Sequence, residues 1–138
     1  MFLLMAALCA AFPLYAQEPL SPEEQEKALY EAIDKEVERL TTTLDLADWQ
    51  IFRIDSTLVH DYKAMAADLD RLRHSKVSNS TAYMVAQDKW LEAIYQSYGN
   101  ILNEEQWAKY LKSGAAKAKK ARDKRAEKAL AEEQKKKK

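Results

Sequence analysis

The chain has 138 residues, enough for one domain rather than two, with 22 basic and 22 acidic side chains and a formal net charge of zero. Two glycines, three prolines and an abundance of Ala, Leu, Lys and Glu argue against a turn-rich β architecture and for a helical one. The zero hides an asymmetry: residues 17–111 hold 10 basic and 18 acidic side chains, net −8, and residues 112–138 hold 12 and 4, net +8.

The chain opens on an uncharged apolar run, Met1 to Phe12, followed by "PLYAQEP". The run is too short for a membrane span, which needs about 20 residues. It reads as a secretory signal over residues 1–16, with cleavage after Ala16. A buried N-terminal helix and a lipoprotein site at Cys9 are the weaker alternatives. Cleavage would remove Cys9, the only cysteine, and with it disulfides, thiol catalysis and cysteine metal sites. The expected location is the periplasm or outside the cell.

"SPEE" at 21–24 then predicts a helix start. Ser21 can cap, Pro22 suits the first helical position, and Glu24 closes a capping box. Leu29, Ile33, Val37, Leu40 and Leu44 form one apolar stripe at helical spacing, and Thr41 to Thr43 mark its weak end. A second helix begins near Asp45 to Asp48. Its stripe is Ile51, Ile54, Leu58, Tyr62, Met65, Leu69 and Leu72, widened by Trp49, Phe52 and Val59, and it ends at the basic residues His74 to Lys76. "SKVSNST", 75–81, is a turn. Tyr83, Trp90, Leu91, Ile94, Tyr98 and Ile101 define a third helix, stopped by Gly99-Asn100. Asn103 and Gln106 form another capping box and start a fourth helix through Trp107, Tyr110 and Leu111.

After Gly114 the apolar stripe disappears, and Leu130 is the one large apolar residue left. This stretch predicts a solvated helix that frays at its terminal lysines. The expected organisation is therefore a helical domain over 17–112 and a basic Ala/Lys-rich tail over 113–138. The fold class is all-α: four amphipathic helices in a small bundle, or a curved helical hairpin dimer, with a helical-to-disordered tail. The long second stripe needs a partner along most of its length, which favours a homodimer.

No phosphate-binding glycine loop, nucleophile elbow or zinc-binding repeat occurs, so no enzyme, catalytic residue, cofactor or metal is expected. His60 and His74 are fourteen residues apart, about 21 Å along one helix, and cannot share a metal. Both read as surface residues, and Met65 and Met84 as packing residues. Trp49, Trp90 and Trp107 lie near helix ends. They either plug the bundle or offer an aromatic surface to apolar clients. Lys117, Lys119, Lys120, Arg122, Lys124 and Arg125 form a candidate anion-binding cluster. The plain alternatives are a solubilising tail and one that docks on the acidic body.

One repeat organises these observations. "LADWQ", Leu46 to Gln50, and "LNEEQ", Leu102 to Gln106, share a leucine four residues before a glutamine, 56 residues apart. "LSPEEQ" at 20–25 is a looser third copy. A doubled Leu-x-x-x-Gln at helix starts in a short helical chain resembles the Spy/CpxP-like periplasmic proteins, whose signature is Leu-Thr-x-x-Gln. The resemblance covers residues 44–112 and rests on Leu46, Gln50, Leu102, Asn103 and Gln106. Asn103 keeps the capping role. Ala47 has no side-chain acceptor, so Asp45 or Asp48 would have to cap in its place.

The resemblance implies antiparallel helical dimers with a stress-response role, some acting as ATP-independent chaperones. The expected function is non-enzymatic binding of unfolded or partner envelope proteins. The alternative is an envelope adaptor tethered by its basic tail to anionic polymers or lipid headgroups. Neither reading calls for sequence-specific nucleic-acid binding or a membrane span.

Overall fold

Ser21 begins the first helix by the predicted reciprocal cap. Its Oγ accepts from the Glu24 amide at 3.3 Å, and its own amide donates to Glu24 Oε2 at 2.8 Å. This cap stands almost at the start of the computed structural model, which describes residues 19–137. The predicted signal segment, with Cys9 and Ala16, lies outside the described residues, as does Lys138.

Three long helices follow: α1 (Pro22–Leu44), α2 (Asp48–His74) and α3 (Ser80–Ile101). A short α4 (Glu104–Tyr110), a linking segment (Leu111–Ala115) kinked at Gly114 (φ 115°) and α5 (Ala116–Lys136) follow. The fold is all-α, with no strand among the described residues. No helix among them is long and apolar enough to cross a membrane.

The connections follow from local chemistry. The three threonines do not break α1; their hydroxyls donate back to Val37, Glu38 and Arg39 carbonyls, and the helix runs on to Leu44. Asp45 then turns left-handed (φ 52°) and its amide bonds the Thr41 carbonyl. Asn79 caps α3 by accepting from the Thr81 amide at 2.9 Å. Gly99 does not stop α3, which continues to Ile101. Trp107 ring atoms lie 3.7 Å from where a Cβ on Gly99 would stand, an ordinary contact distance, so α4 closes on α3 here without requiring a glycine.

Both helix pairs are antiparallel. Lys63 of α2 reaches Glu26 near the start of α1 at 3.2 Å, and Trp90 near the middle of α3 reaches Asp68 late in α2 at 2.7 Å. Ile33, Leu40 and Leu44 from α1, Ile54 and Leu58 from α2, and Ile94, Tyr98 and Ile101 from α3 make one core, closed at one end by Leu46 and Leu102. Each such aliphatic side chain contributes roughly 1.5–3 kcal/mol through burial. Within the α2 stripe, Ile54, Leu58 and Met65 are buried and Ile51 and Tyr62 pack against the core, while Leu69 and Leu72 are only half-buried.

Two expectations need correction. Trp49 and Phe52 do not widen the buried stripe; they are 58% and 70% exposed. Met84 is not a packing residue, being 44% exposed, whereas Met65 is buried. The tail is helical as expected, and α5 ends at Lys136, inside the terminal lysine run. High helix propensity carries it that far without a buried apolar face.

Candidate functional site

The two motif copies meet. Gln50 begins α2 and Gln106 begins α4, and both side chains are buried. Gln50 Nε2 donates to Gln106 Oε1 at 2.7 Å, and Gln106 Nε2 donates to Gln50 Oε1 at 3.0 Å. Each oxygen also accepts from the backbone amide that starts its own helix, Ala47 for Gln50 and Asn103 for Gln106, both at 3.0 Å.

The remaining amide hydrogens cross to the opposite copy. Gln50 donates to the Ile101 carbonyl at 3.0 Å. Gln106 donates to the Asp45 and Leu44 carbonyls at 3.4 and 3.3 Å. Asp45 and Ile101 occupy equivalent places, each just ahead of its motif leucine. The clasp is therefore quasi-symmetric, and both donors and both acceptor positions of each side-chain amide are used. A buried amide pair satisfied in this way holds register without leaving a polar group stranded.

The second copy has the full capping box, because Asn103 Oδ1 also accepts from the Gln106 amide at 2.9 Å. The first has only half. Neither Asp45 nor Asp48 replaces the missing acceptor: Asp45 is the left-handed end of α1, and Asp48 is already inside α2. Ala47 is the cap residue, and Gln50 alone serves its amide. Leu46 and Leu102, each 8% exposed, pack beneath the pair. The third copy does not join. Its Gln25 bonds the Leu20 carbonyl at 2.7 Å, on the surface.

The three tryptophans occupy different settings. Trp49 stands exposed at the rim of a shallow recess with Gln50, Leu102, Asn103 and Gln106 on its floor and walls. Phe52 follows one turn on. It borders a second open recess with Ser56, His60 and Ser97. Trp49 and Phe52 thus form a continuous aromatic edge along α2 beside the clasp.

Trp90 is half-buried, donates to Asp68 Oδ2, and has the Lys89 ammonium 4.6 Å from its ring centre. The indole hydrogen bond, with help from Lys89 and Arg71, holds the Asp68 carboxyl below its usual value. Trp107 stacks into a cluster with Tyr95 at 5.0 Å and Tyr110 at 5.5 Å, and Tyr98 meets Tyr110 at 5.3 Å. Burial pushes the Tyr110 phenol up to about 12 and the Tyr98 phenol well above its ordinary value. Trp90 and Trp107 are committed to the bundle, and Trp49 faces outward.

The basic cluster divides too. Arg122 reaches Glu92 at 3.2 Å and is buried, and Arg125 reaches Asp88 at 2.6 Å through two parallel hydrogen bonds. Lys119 bonds both Glu92 and Asp123. Arg122 also lies over the Tyr95 ring at 5.5 Å. Burial raises the Glu92 carboxyl, but hydrogen bonds from Gln96, Lys119 and Arg122 outweigh it and leave the group below its usual value. Lys117, Lys120 and Lys124 are exposed. The tail is thus docked along α3. Asp88, Glu92 and Tyr95 recur at helical spacing, which was the available sign of this acidic-aromatic face.

His60 and His74 are surface residues, with side chains 76% and 78% exposed. His60 Nδ1 does reach the adjacent Asp61 carboxylate, at 2.7 Å. No group of three or more metal-ligating side chains occurs among the described residues. Comparison with protein families, with curated proteins and with solved structures yields no match to this chain.

Proposed function

We propose that this chain is a non-enzymatic helical protein of the cell envelope that binds unfolded or partner proteins, in the manner of the Spy/CpxP-like proteins its motifs resemble. The observation that carries the reading is the pairing of Gln50 with Gln106 beside an exposed aromatic edge. A motif whose two copies serve each other is one structural device rather than two unrelated helix caps. The clasp fixes the start of α2, and the start of α2 carries Trp49 and Phe52. Large aromatics held on a rigid helix give contact area at little conformational cost. Their partner is an extended apolar segment, such as an unfolded chain exposes.

Light scattering from a reduced, aggregating client tests this, with the chain from Gln17 onward in excess at low and physiological salt. Suppression is expected at both. The double variant W49S/F52S should need roughly tenfold more protein or worse for the same effect, the loss of two aromatic anchors. Its unfolding free energy should change by about 0.5 kcal/mol or less, because both side chains are exposed. If the wild-type chain suppresses nothing at either salt, the reading falls.

A further inference from the structure

Helix α5 sorts its positive charges onto two sides. Lys119, Arg122 and Arg125 face α3 and are engaged there by Glu92 and Asp88. Lys120, Lys124, Lys128 and Lys135 recur at spacings of four, four and seven, which places them within about a quarter of the helix circumference. That quarter lies opposite the docked side. All four lysines are exposed, and Lys117 begins the same line. From Lys120 to Lys135 the stripe runs about 22 Å along one unbroken helix.

From this sorting we infer that α5 is a peripheral docking surface for an anionic lipid bilayer. A band of ammonium groups confined to one quarter of the helix, with the body behind it, can meet a plane together. The outer stripe contains no arginine fork, and both arginines of α5 serve the inner face. Lysines act as point charges without geometric demand, which suits a fluid headgroup layer. No aromatic side chain lies on the stripe to stack on nucleobases. A flexible polyanion could wrap a freely basic arm, but the inner face is already occupied by carboxylates. Leu130 is exposed but lies to the docked side of the stripe, so nothing inserts and attachment is electrostatic and salt-labile. The inference stands apart from the client-binding reading.

The test uses the chain from Gln17 onward, which carries every described element. Sedimentation measures its binding to vesicles of phosphatidylcholine with one third phosphatidylglycerol and to vesicles of phosphatidylcholine alone. Binding is expected only to the anionic vesicles, with release in high salt. K120Q/K124Q/K128Q should lose about a hundredfold in affinity. K119Q/R122Q/R125Q, with the same net charge, should lose about fivefold or less, because the outer stripe remains. Circular dichroism checks that each variant stays helical. Equal losses in the two variants, equal binding to neutral vesicles, or binding to polyphosphate without binding to anionic vesicles would each overturn the inference.

Discussion

Each glutamine of the clasp depends on the other for two of its hydrogen bonds. Removing one side chain strands a donor and an acceptor on its partner, which is buried at the floor of the recess. Q50A and Q106A should each cost about 3 kcal/mol, since a buried polar group without a partner costs roughly 1–3 kcal/mol and the truncation leaves a cavity besides. The two losses should not add. Once Gln50 is gone, Gln106 has already lost its best partner, so the double variant should be more stable than the sum predicts by about 1–2 kcal/mol. Denaturant unfolding of the four proteins closes the cycle. An additive result would mean that the two motifs act separately as caps. Spacing made both glutamines visible as cap residues, because Asn103–Gln106 is a local pattern. Their mutual bond spans 56 residues and depends on how α2 and α3 fold back, which no local pattern encodes. Ala47 shows the same limit: without an acceptor of its own, it is served by Gln50 alone.

At the scale of elements, α1, α2 and α3 were legible because each carries a stripe at helical spacing and a turn or cap at its ends. Exposure at the start of α2 was not legible, since Trp49 and Phe52 are apolar residues beside a real stripe and only packing shows which side is covered. The docking of α5 was legible only as one possibility, because its contacts are ionic and long-range in sequence. These contacts make a definite prediction. Glu92 sits below its ordinary value of 4.5 when docked. Its contribution is therefore complete above that value and is lost as pH falls through the lowered one. The Gly114 backbone, at φ 115°, supplies a joint at which α5 can swing away. Spin labels at V85C and K128C should report one narrow distance at neutral pH. The distribution should broaden at pH values below the ordinary glutamate range, and also at about 1 M salt, where screening acts within about 3 Å. A distribution unchanged by both acid and salt would show that ion pairs do not hold α5.

For the whole molecule, the question is what covers the long stripe of α2. The stripe is too apolar to stand in water, and from periodicity alone a second chain could cover it as well as the first. In the structure Ile54 and Leu58 are covered by residues from α1 and α3 of their own chain. Helices joined by short turns meet antiparallel at little loop-closure cost, whereas association of two chains loses translational freedom. If one chain closes its own core in this way, any pairing of copies is a separate event on an already folded surface. The thermal midpoint should stay constant over about a hundredfold range of protein concentration, because no mass-action term links folding to assembly. Sedimentation across the same range would detect association independently. A midpoint that climbs with concentration would mean that two chains share the core, and would return α2 to the role of a dimer seam.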